Sequence, residues 1–261
     1  MITSPQNEKL KLVRKLRERK HRDEAQAFLT EGEDLLEAGL AAGVEPRFVL
    51  VAAGAELPPA GKAETSCEEI EQGLLDEVSS LGSGTRTIAV WPQQWAQSAG
   101  SFCVYLHGVG DPGNVGAIVR TAHALAGGAV VLGPDCADPF SPKAVRASMG
   151  AIFAQPLLRA GIDTTPRPRV ALVAHGGKAL AGPEGEEGAG ELAAAATICL
   201  GAERGGLPAE TLLECDSELT IPLRPGVAES LNVAAVAAIV CERVASAASI
   251  NDSSQASERE Q

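Results

Sequence analysis

Three short stretches of the sequence place polar side chains among apolar neighbours that predict a buried helix or strand. Asn114 and Arg120 lie six residues apart in NVGAIVRTAHALA. Glu203 follows an apolar run in LGAERGGLP, and Ser230 and Asn232 begin the apolar stretch SLNVAAVAAIV. Because an isolated buried charge costs free energy, an arginine in such surroundings needs a partner or a ligand. Its guanidinium could hold a phosphate or a reacting hydroxyl group.

These residues also have structural interpretations. The apolar frame around Arg120 predicts a substantially buried helix, and a salt bridge to Glu203 would satisfy the charge there. Ser230 is a preferred helix N-cap, which is its ordinary role. Asn232 falls inside the predicted first turn of the same helix and is less easily explained as a cap.

The loop before Asn114 raises an alternative function. Gly108, Gly110 and Gly113 fit G-x-G-x-x-G, and Asp135 lies about twenty residues further on, as in NAD-dependent oxidoreductases. The proline before Gly113 suits a rigid turn, so the helix is expected to start at Asn114, a preferred N-cap. Gly113 would then precede the helix and could not pack it closely against the strand. A dinucleotide site is therefore weakly supported.

The surrounding sequence predicts two domains of α/β type. Residues 5–95 indicate a small α/β module, and the turn-rich segment 96–100 reads as a linker. Over 101–248, apolar strands alternate with helices, which predicts a mostly parallel sheet covered on both faces. The Gly-rich acidic stretch 176–196 predicts a mobile surface loop, and the polar segment 249–261 a disordered tail.

Charge is distributed unevenly along the chain. The first 22 residues hold eight Lys and Arg against Glu8 and Glu18, whereas the whole chain carries a net charge of −12. A basic helix over 9–22 on an acidic body indicates a local anion-binding surface. A solvated helix face with no ligand is the more common role of such a charge run.

Composition excludes several classes of protein. The six cysteines contain no C-x-x-C pair, which indicates reduced thiols and neither a metal site nor a disulfide framework. No apolar run has signal-peptide character or membrane-spanning length, so a soluble cytoplasmic protein without a membrane partner is expected. Aromatic residues make up only 3% of the chain, which leaves few rings for stacking on exposed bases.

Taken together, the polar stretches resemble the SpoU/TrmH family of RNA ribose methyltransferases, within the SPOUT class. The matching blocks, in the family's order and roughly its spacing, are NVGAIVRTA (114–122), LGAERGGLP (200–208) and IPLRPGVAESLNVAAVAAI (221–239). SPKAVRASMGAIF (141–153) is similar to the family's intervening segment, so the resemblance covers about 101–247. KLRERKHRDEAQAFLTEG resembles the L30e-like substrate-binding extension that many members carry.

The resemblance implies a fold, an assembly and a cofactor. The fold is a small N-terminal L30e-like α/β domain followed by a SPOUT α/β domain, whose mostly parallel sheet ends in a deep C-terminal trefoil knot. The assembly is a homodimer. The cofactor is S-adenosylmethionine, held by the knot loops, and the positions matching the family's cofactor contacts are Ala174, His175, Gly176, Gly201, Ile221 and Leu231.

The resemblance also implies a reaction, the transfer of a methyl group to a ribose 2′-hydroxyl of RNA. Ribosomal RNA of the 23S type is favoured as the substrate, transfer RNA is possible, and a non-catalytic RNA-binding protein on the same fold stays open. The family's polar active-site positions fall on Asn114, Arg120, Glu203, Ser230 and Asn232. Because an arginine pKa exceeds about 12, Arg120 is expected to act as an electrostatic anchor and not as a base. Phosphate neutralisation is expected from Lys11, Arg14, Lys15, Arg17, Arg19, Lys20 and Arg22.

Overall fold

The computed structural model describes residues 1–55, 66–180, 188–226 and 228–259. The helices are α1 (Glu8–Lys15), α2 (Arg19–Ala25), α3 (Glu33–Ala41), α4 (Gln72–Val78), α5 (Pro112–Thr121), α6 (Pro142–Ser148), α7 (Ala189–Ala194), α8 (Ala209–Leu212) and α9 (Val233–Arg259). The strands are β1 (Ala27–Glu31), β2 (Phe48–Ala52), β3 (Cys67–Ile70), β4 (Thr87–Pro92), β5 (Cys103–Leu106), β6 (Ala129–Leu132), β7 (Leu157–Arg159), β8 (Arg169–Leu172), β9 (Lys178–Ala179), β10 (Thr197–Leu200) and β11 (Ser217–Thr220).

The chain divides into two compact units, each with one sheet. The first unit consists of Met1–Gln94 and Asp138–Ala154, and the second of Trp95–Ala137 and Gln155–Gln261. Strands of the first unit run in the order β1-β4-β2-β3, with β4 antiparallel to both neighbours. Apolar residues of α1 and α4 pack on one face of this sheet, among them Leu10, Val13, Leu16, Leu75 and Val78.

The segment 138–154, which the sequence places in the second domain, is part of the first unit. Phe140 and Phe153 pack against Phe28, with ring centroids 4.9 and 5.7 Å apart, and Phe153 meets Trp91 edge-on at 4.6 Å. The indole nitrogen of Trp91 in turn donates to Thr30 at 2.8 Å. Aromatic packing therefore fixes this segment to the sheet of the first unit.

The basic segment forms two helices instead of the single helix predicted over 9–22. α1 ends at Lys15 and α2 begins at Arg19. Arg22 is buried, where it forms a salt bridge to Asp138 at 2.7 Å and donates to the carbonyls of Leu16 and Arg17. Arg22 is thus committed to the fold, and its assignment to phosphate binding is wrong.

The sheet of the second unit has the order β7-β6-β5-β10-β8-β11-β9, and every neighbouring pair is parallel. The predicted α/β class with a mostly parallel sheet is confirmed. Its central strands are buried runs of small aliphatic residues, as a sheet covered on both faces requires. All carboxyl ends of the strands lie along one edge.

Two predicted irregular segments contain regular structure. The predicted surface loop 176–196 includes β9 and α7, while its residues 181–187 lie outside the described residues. The predicted disordered tail forms the last turns of α9 up to Arg259, and 260–261 lie outside the described residues. Neither Gly nor Pro interrupts the α9 sequence, so no residue stops the helix early. Within the described part of the chain, no helix combines the length and apolarity needed to cross a membrane.

Candidate functional site

A cavity lies at the carboxyl ends of three neighbouring strands in the second unit. It has a volume of about 620 Å³ and is lined by the segments that follow β8, β10 and β11. The first two segments supply residues 173–175 and 201–207, and the third supplies Ile221, Leu223, Glu229, Ser230 and Leu231. In open α/β sheets the carboxyl ends of the strands are the usual place for a ligand, and the volume suits a small molecule.

Five of the six positions predicted to contact a cofactor line this cavity. They are Ala174, His175, Gly201, Ile221 and Leu231. Gly176, the sixth, follows directly in the β8 loop and is not among the lining residues. The fingerprint glycines Gly108, Gly110 and Gly113 do not line it either. The cavity therefore lies beside the predicted methyl-donor positions and not at the glycine loop.

Several lining residues were absent from the sequence-based set. Arg204 and Glu229 add two charges to that of Glu203, and Leu207, Leu223, Val233 and Val236 add apolar surface. Arg204 and Glu229 directly follow or precede predicted residues, so chain adjacency was the signal that could have found them. In the sequence the apolar residues resemble ordinary hydrophobic core residues, so no local pattern identifies them as residues that line a cavity.

The loop after β10 is folded back on itself at Gly201. A Cβ on Gly201 would lie 2.2 Å from the backbone carbon of Gly206, a contact that no real side chain could make. Ala202 and Gly206 exchange backbone hydrogen bonds of 3.1 and 2.9 Å. A glycine is therefore needed at this wall of the cavity, and the loop behind it is closely packed.

Asn114 joins two of the predicted catalytic residues. Its amide nitrogen donates to the carboxylate of Glu203, and its amide oxygen accepts from Nδ2 of Asn232 at 3.1 Å. Asn232 Oδ1 in turn accepts from the backbone N–H of Ala234 at 2.9 Å. Because a backbone N–H can only donate, this last bond fixes the orientation of both amides. The starts of α5 and α9 and the loop after β10 are thus connected.

Asn232, and not Ser230, caps the last helix. The bond from Ala234 N–H to Asn232 Oδ1 is the side-chain bond of a helix N-cap, and α9 begins at Val233. Ser230 lies two residues before this cap and lines the cavity. The sequence-based assignment of the cap to Ser230 is wrong, because the helix begins at Val233, two residues later than a cap at Ser230 would require.

Helix α5 starts earlier than predicted. It begins at Pro112, and Asp111 is its N-cap, accepting from the N–H groups of Gly113 at 2.6 Å and Asn114 at 3.2 Å. Proline is favoured at the first helical position because it has no N–H to satisfy. Since Asp111 supplies the cap, the Asn114 side chain is left to contact Glu203 and Asn232.

Arg120 is exposed, contrary to the predicted burial. The buried residues of α5 and the turn after it are Val115, Ile118, Val119 and Ala122, which share one helical face. Arg120 points away from that face and forms no hydrogen bond or salt bridge with any described residue, so the predicted bridge to Glu203 is not formed. It is followed by a π-helical turn, Ala122–Ala126, a feature frequent at functional sites.

A cluster of polar side chains lies at the end of β5. Burial raises the pKa of Tyr105 to about 12, so its hydroxyl keeps its proton at neutral pH. This hydroxyl and that of Thr211 each lie 3.3 Å from Nδ1 of His107. Nowhere in the described ranges do three or more His, Cys, Asp or Glu side chains group so that they could hold a metal ion.

The sequence matches two protein-family models. Residues 101–242 match the SpoU rRNA Methylase family, and residues 7–89 match the MRM3-like substrate binding domain. The first match covers more than half of the chain and includes every residue of the cavity and of the Asn114 network.

Comparison with known proteins of similar length indicates the same family. The chain is 33% identical to the 23S rRNA (guanosine(2553)-2′-O)-methyltransferase RlmP of Bacillus subtilis, over 92% of this chain and 96% of that protein. A solved structure of the TrmH family from Porphyromonas gingivalis is 30% identical, covers 94% and 98% of the two chains, and has a TM-score of 0.74. An AdoMet-bound rRNA methyltransferase from Sinorhizobium meliloti shares the fold at 24% identity, with a TM-score of 0.76 over 93% and 96% of the chains. Sequence blocks, cavity position and whole-chain similarity thus agree that this chain belongs to the SpoU rRNA methylase family.

Proposed function

We propose that this chain transfers a methyl group from S-adenosylmethionine to a ribose 2′-hydroxyl of ribosomal RNA, most specifically 23S RNA. The observation that carries the proposal is the cavity at the carboxyl ends of β8, β10 and β11, with Asn114, Glu203 and Asn232 linked by hydrogen bonds. RlmP, similar over nearly its whole length, is named for this reaction on 23S RNA.

The cavity residues fit S-adenosylmethionine. Ile221 and Leu231 offer apolar surface for a purine, and Gly201 lines the cavity without a side chain of its own. Glu203 and Glu229 bring two carboxylates to a cavity whose proposed occupant carries an ammonium and a sulfonium charge. When bound, this cofactor supplies a methyl group on a sulfonium, which is already a good leaving group.

The chain's own residues must then position and polarise the hydroxyl. With the cofactor bound, the new oxygen–carbon bond would replace the carbon–sulfur bond, the cofactor would leave as a neutral thioether, and the hydroxyl proton would pass to solvent water. Arg120, exposed and without a described partner, is available to hold the adjacent RNA phosphate and to stabilise the developing negative charge. Asn232 and Asn114 hold Glu203 through hydrogen bonds, and Ser230 lines the cavity, where it can donate to the ribose.

The first unit is proposed as the RNA substrate-binding domain, over about 5–95, with the catalytic domain over 101–248. Its match to the MRM3-like substrate binding domain supports this assignment. The exposed and partly exposed cations of α1, α2 and the turn between them remain candidates for phosphate contacts, namely Lys11, Arg14, Lys15, Arg17, Arg19 and Lys20. Arg22 is excluded because it is buried against Asp138.

Three finer features belong to the same proposal. We expect a cytoplasmic homodimer whose C-terminal part contains the trefoil knot of the SPOUT class. The exposed Leu125, in the π-helical turn that packs on α9, gives the second unit an apolar surface that a second copy could cover. Sedimentation equilibrium measures the oligomeric state, and a monomer at micromolar concentration would contradict the dimer.

Methyl transfer with tritiated S-adenosylmethionine tests the reaction directly. Unmodified 23S RNA, 16S RNA and total transfer RNA are offered separately, and the modified nucleotide is mapped as a 2′-O-methyl ribose. Arg120→Ala is expected to lower kcat/KM about 100-fold or more, and Arg243→Ala, an exposed cation on α9, serves as the matched control. Undiminished transfer by Arg120→Ala would remove that residue from the mechanism.

Calorimetry separates the other functions. S-adenosylmethionine is expected to bind and NAD is not, because Gly108, Gly110 and Gly113 lie outside the cavity. Binding of RNA without binding of S-adenosylmethionine would instead support a non-catalytic RNA-binding protein. Transfer to transfer RNA alone would keep the reaction and change the substrate.

A further inference from the structure

An arginine and a tryptophan form a stacked pair at the edge of the second sheet. The guanidinium carbon of Arg159, the last residue of β7, lies 4.6 Å from the centroid of the Trp95 ring, a distance typical of a cation–π contact. Arg159 is exposed and Trp95 is partly exposed. The chain has two Trp, one Tyr and five Phe, and the buried ones are Phe28, Phe48, Trp91, Tyr105, Phe140 and Phe153.

The pair lies at the same edge of the sheet as the proposed active site. Arg159 is at the carboxyl end of β7, and only β6 separates β7 from β5, which leads into α5 with Asn114 and Arg120. Strands lie about 4.8 Å apart, so the carboxyl ends of β7 and β5 are about 10 Å apart across the sheet. Phe102, the other partly exposed ring, precedes β5 and lies at the opposite edge.

We propose that a base of the RNA substrate, close in sequence to the methylated nucleotide, stacks on the Trp95–Arg159 pair. This inference rests on the proposed function. A guanidinium in contact with an indole ring has already lost part of its side-chain entropy, so an RNA base can stack on this exposed arginine at a smaller entropic cost. Stacking on aromatic rings and on guanidinium planes is the usual way in which proteins hold unpaired RNA bases.

Conservative variants separate stacking from charge. Arg159→Lys keeps the charge and removes the plane, Trp95→Leu removes the ring, and Trp95→Phe keeps a smaller ring. We expect the first two to raise both the Kd and the KM for RNA about 5- to 100-fold, with kcat and the salt dependence of binding unchanged. Trp95→Phe should retain most of the affinity. Arg167→Lys, an exposed arginine just before β8 at the opposite edge, is the matched control and should behave as wild type.

Tryptophan emission gives a second measurement on the wild-type protein. Since Trp91 is buried, an RNA-dependent change in emission reports on Trp95 and should disappear in Trp95→Phe. Wild-type RNA affinity in both Arg159→Lys and Trp95→Leu, or no emission change on binding, would overturn the stacking site. Both readouts follow binding, so an emission change without any methyl transfer by the wild type would support the stack and overturn the proposed reaction.

Discussion

The two compact units differ in how their positively charged side chains are paired. In the first unit the basic residues of α1 and α2 are largely paired within the unit, as in the pairs Lys11–Glu8, Arg14–Glu77, Arg19–Asp23, Lys20–Glu24 and Arg22–Asp138. In the second unit Arg167, Arg169 and Lys178 are also paired. Arg120, Arg204 and Arg224 of that unit form no hydrogen bond or ion pair with described residues. The richest run of positive charge in the sequence is therefore not the richest source of available cations.

This difference predicts a separation of effects. Substitutions at paired charges of the first unit should change stability more than activity, because the charges serve the fold. Substitutions near the cavity should change activity more than stability. There the side-chain amides of Asn114 and Asn232 are held by hydrogen bonds, while the arginines without a described partner can bind a ligand. The following variants test this separation, beginning with the largest expected effect.

Arg22→Met should have the largest effect on stability. The side chains of Arg22 and Asp138 are both 4% exposed, and removing the guanidinium leaves the carboxylate buried without its charge partner. We expect the free energy of unfolding of the first unit to fall by about 3–5 kcal/mol, measured by urea denaturation. Arg19→Met, at an exposed pair, should cost less than about 1 kcal/mol.

The double variant Arg22→Met, Asp138→Leu serves as the control. Since both charges are then gone, most of the lost stability should return, although the carbonyls of Leu16 and Arg17 lose their donor. A single variant as stable as wild type would show that this pair does not hold the segment 138–154 in place.

Asn232 allows the helix cap to be separated from the amide network. Asn232→Asp keeps an oxygen for the N–H of Ala234 but cannot donate to Asn114, and it places a carboxylate against that amide oxygen. We expect kcat/KM for RNA to fall about 10- to 100-fold, which corresponds to the loss of a hydrogen-bonded connection to a charged group. The melting temperature should stay close to wild type.

Asn232→Ala is the companion variant, which loses the cap as well as the network. Its activity should match that of Asn232→Asp, and its stability should fall by a further ~1 kcal/mol. Full activity in Asn232→Asp would show that the orientation of Asn114 does not matter for the reaction.

Much of the fold follows from hydrophobic patterning, because strands buried on both faces are short apolar runs. FCVYL, AVVL and TICL were recognisable as strands on that ground, and the parallel sheet followed from their alternation with helices. β7 and β9 are too short, at three and two residues, to give such a pattern. The strand order depends on packing between distant segments and has no local signal.

The site was predictable as a set of residues but not as an arrangement. The three sequence blocks identify the residues of the site, whereas residue preferences for the N-cap assign the caps of α5 and α9 to the wrong residues. Asp111 and Asn114 both satisfy the N-cap preference, and only the start of α5 at Pro112 decides between them. The apolar neighbours of Arg120 in the sequence predict that it is buried. Its exposure is instead set by the side of the helix from which its side chain projects.

Gly201→Ala tests whether the loop after β10 must fold tightly against the cavity. Its new Cβ would meet the Gly206 backbone at 2.2 Å, so the loop must move, at a cost of about 1–3 kcal/mol. We expect the affinity for S-adenosylmethionine, measured by calorimetry, to fall about 10-fold. Gly205→Ala, where a Cβ would find no atom within 4 Å, is the matched control and should change affinity less than about twofold. Equal losses in the two variants would argue against a specific role for Gly201.

Lys15 and Lys20 test the smallest difference, within the basic segment itself. Deleting 1–22 cannot test RNA binding, because Leu10, Val13 and Leu16 belong to the core of the first unit. Both lysines are exposed, but Lys20 pairs with Glu24 at 3.9 Å, whereas Lys15 forms no ion pair with described residues.

A lysine that contacts an RNA phosphate releases about one counterion, so Lys15→Ala should reduce the slope of log affinity against log salt by about 0.7–0.9. Lys20→Ala should leave the slope unchanged, because its ammonium is already close to a carboxylate. Filter binding over a range of salt concentrations measures both slopes on one RNA. An equal reduction in the two variants would mean that RNA displaces Glu24 from Lys20, and the distinction between paired and available cations would then fail for this segment.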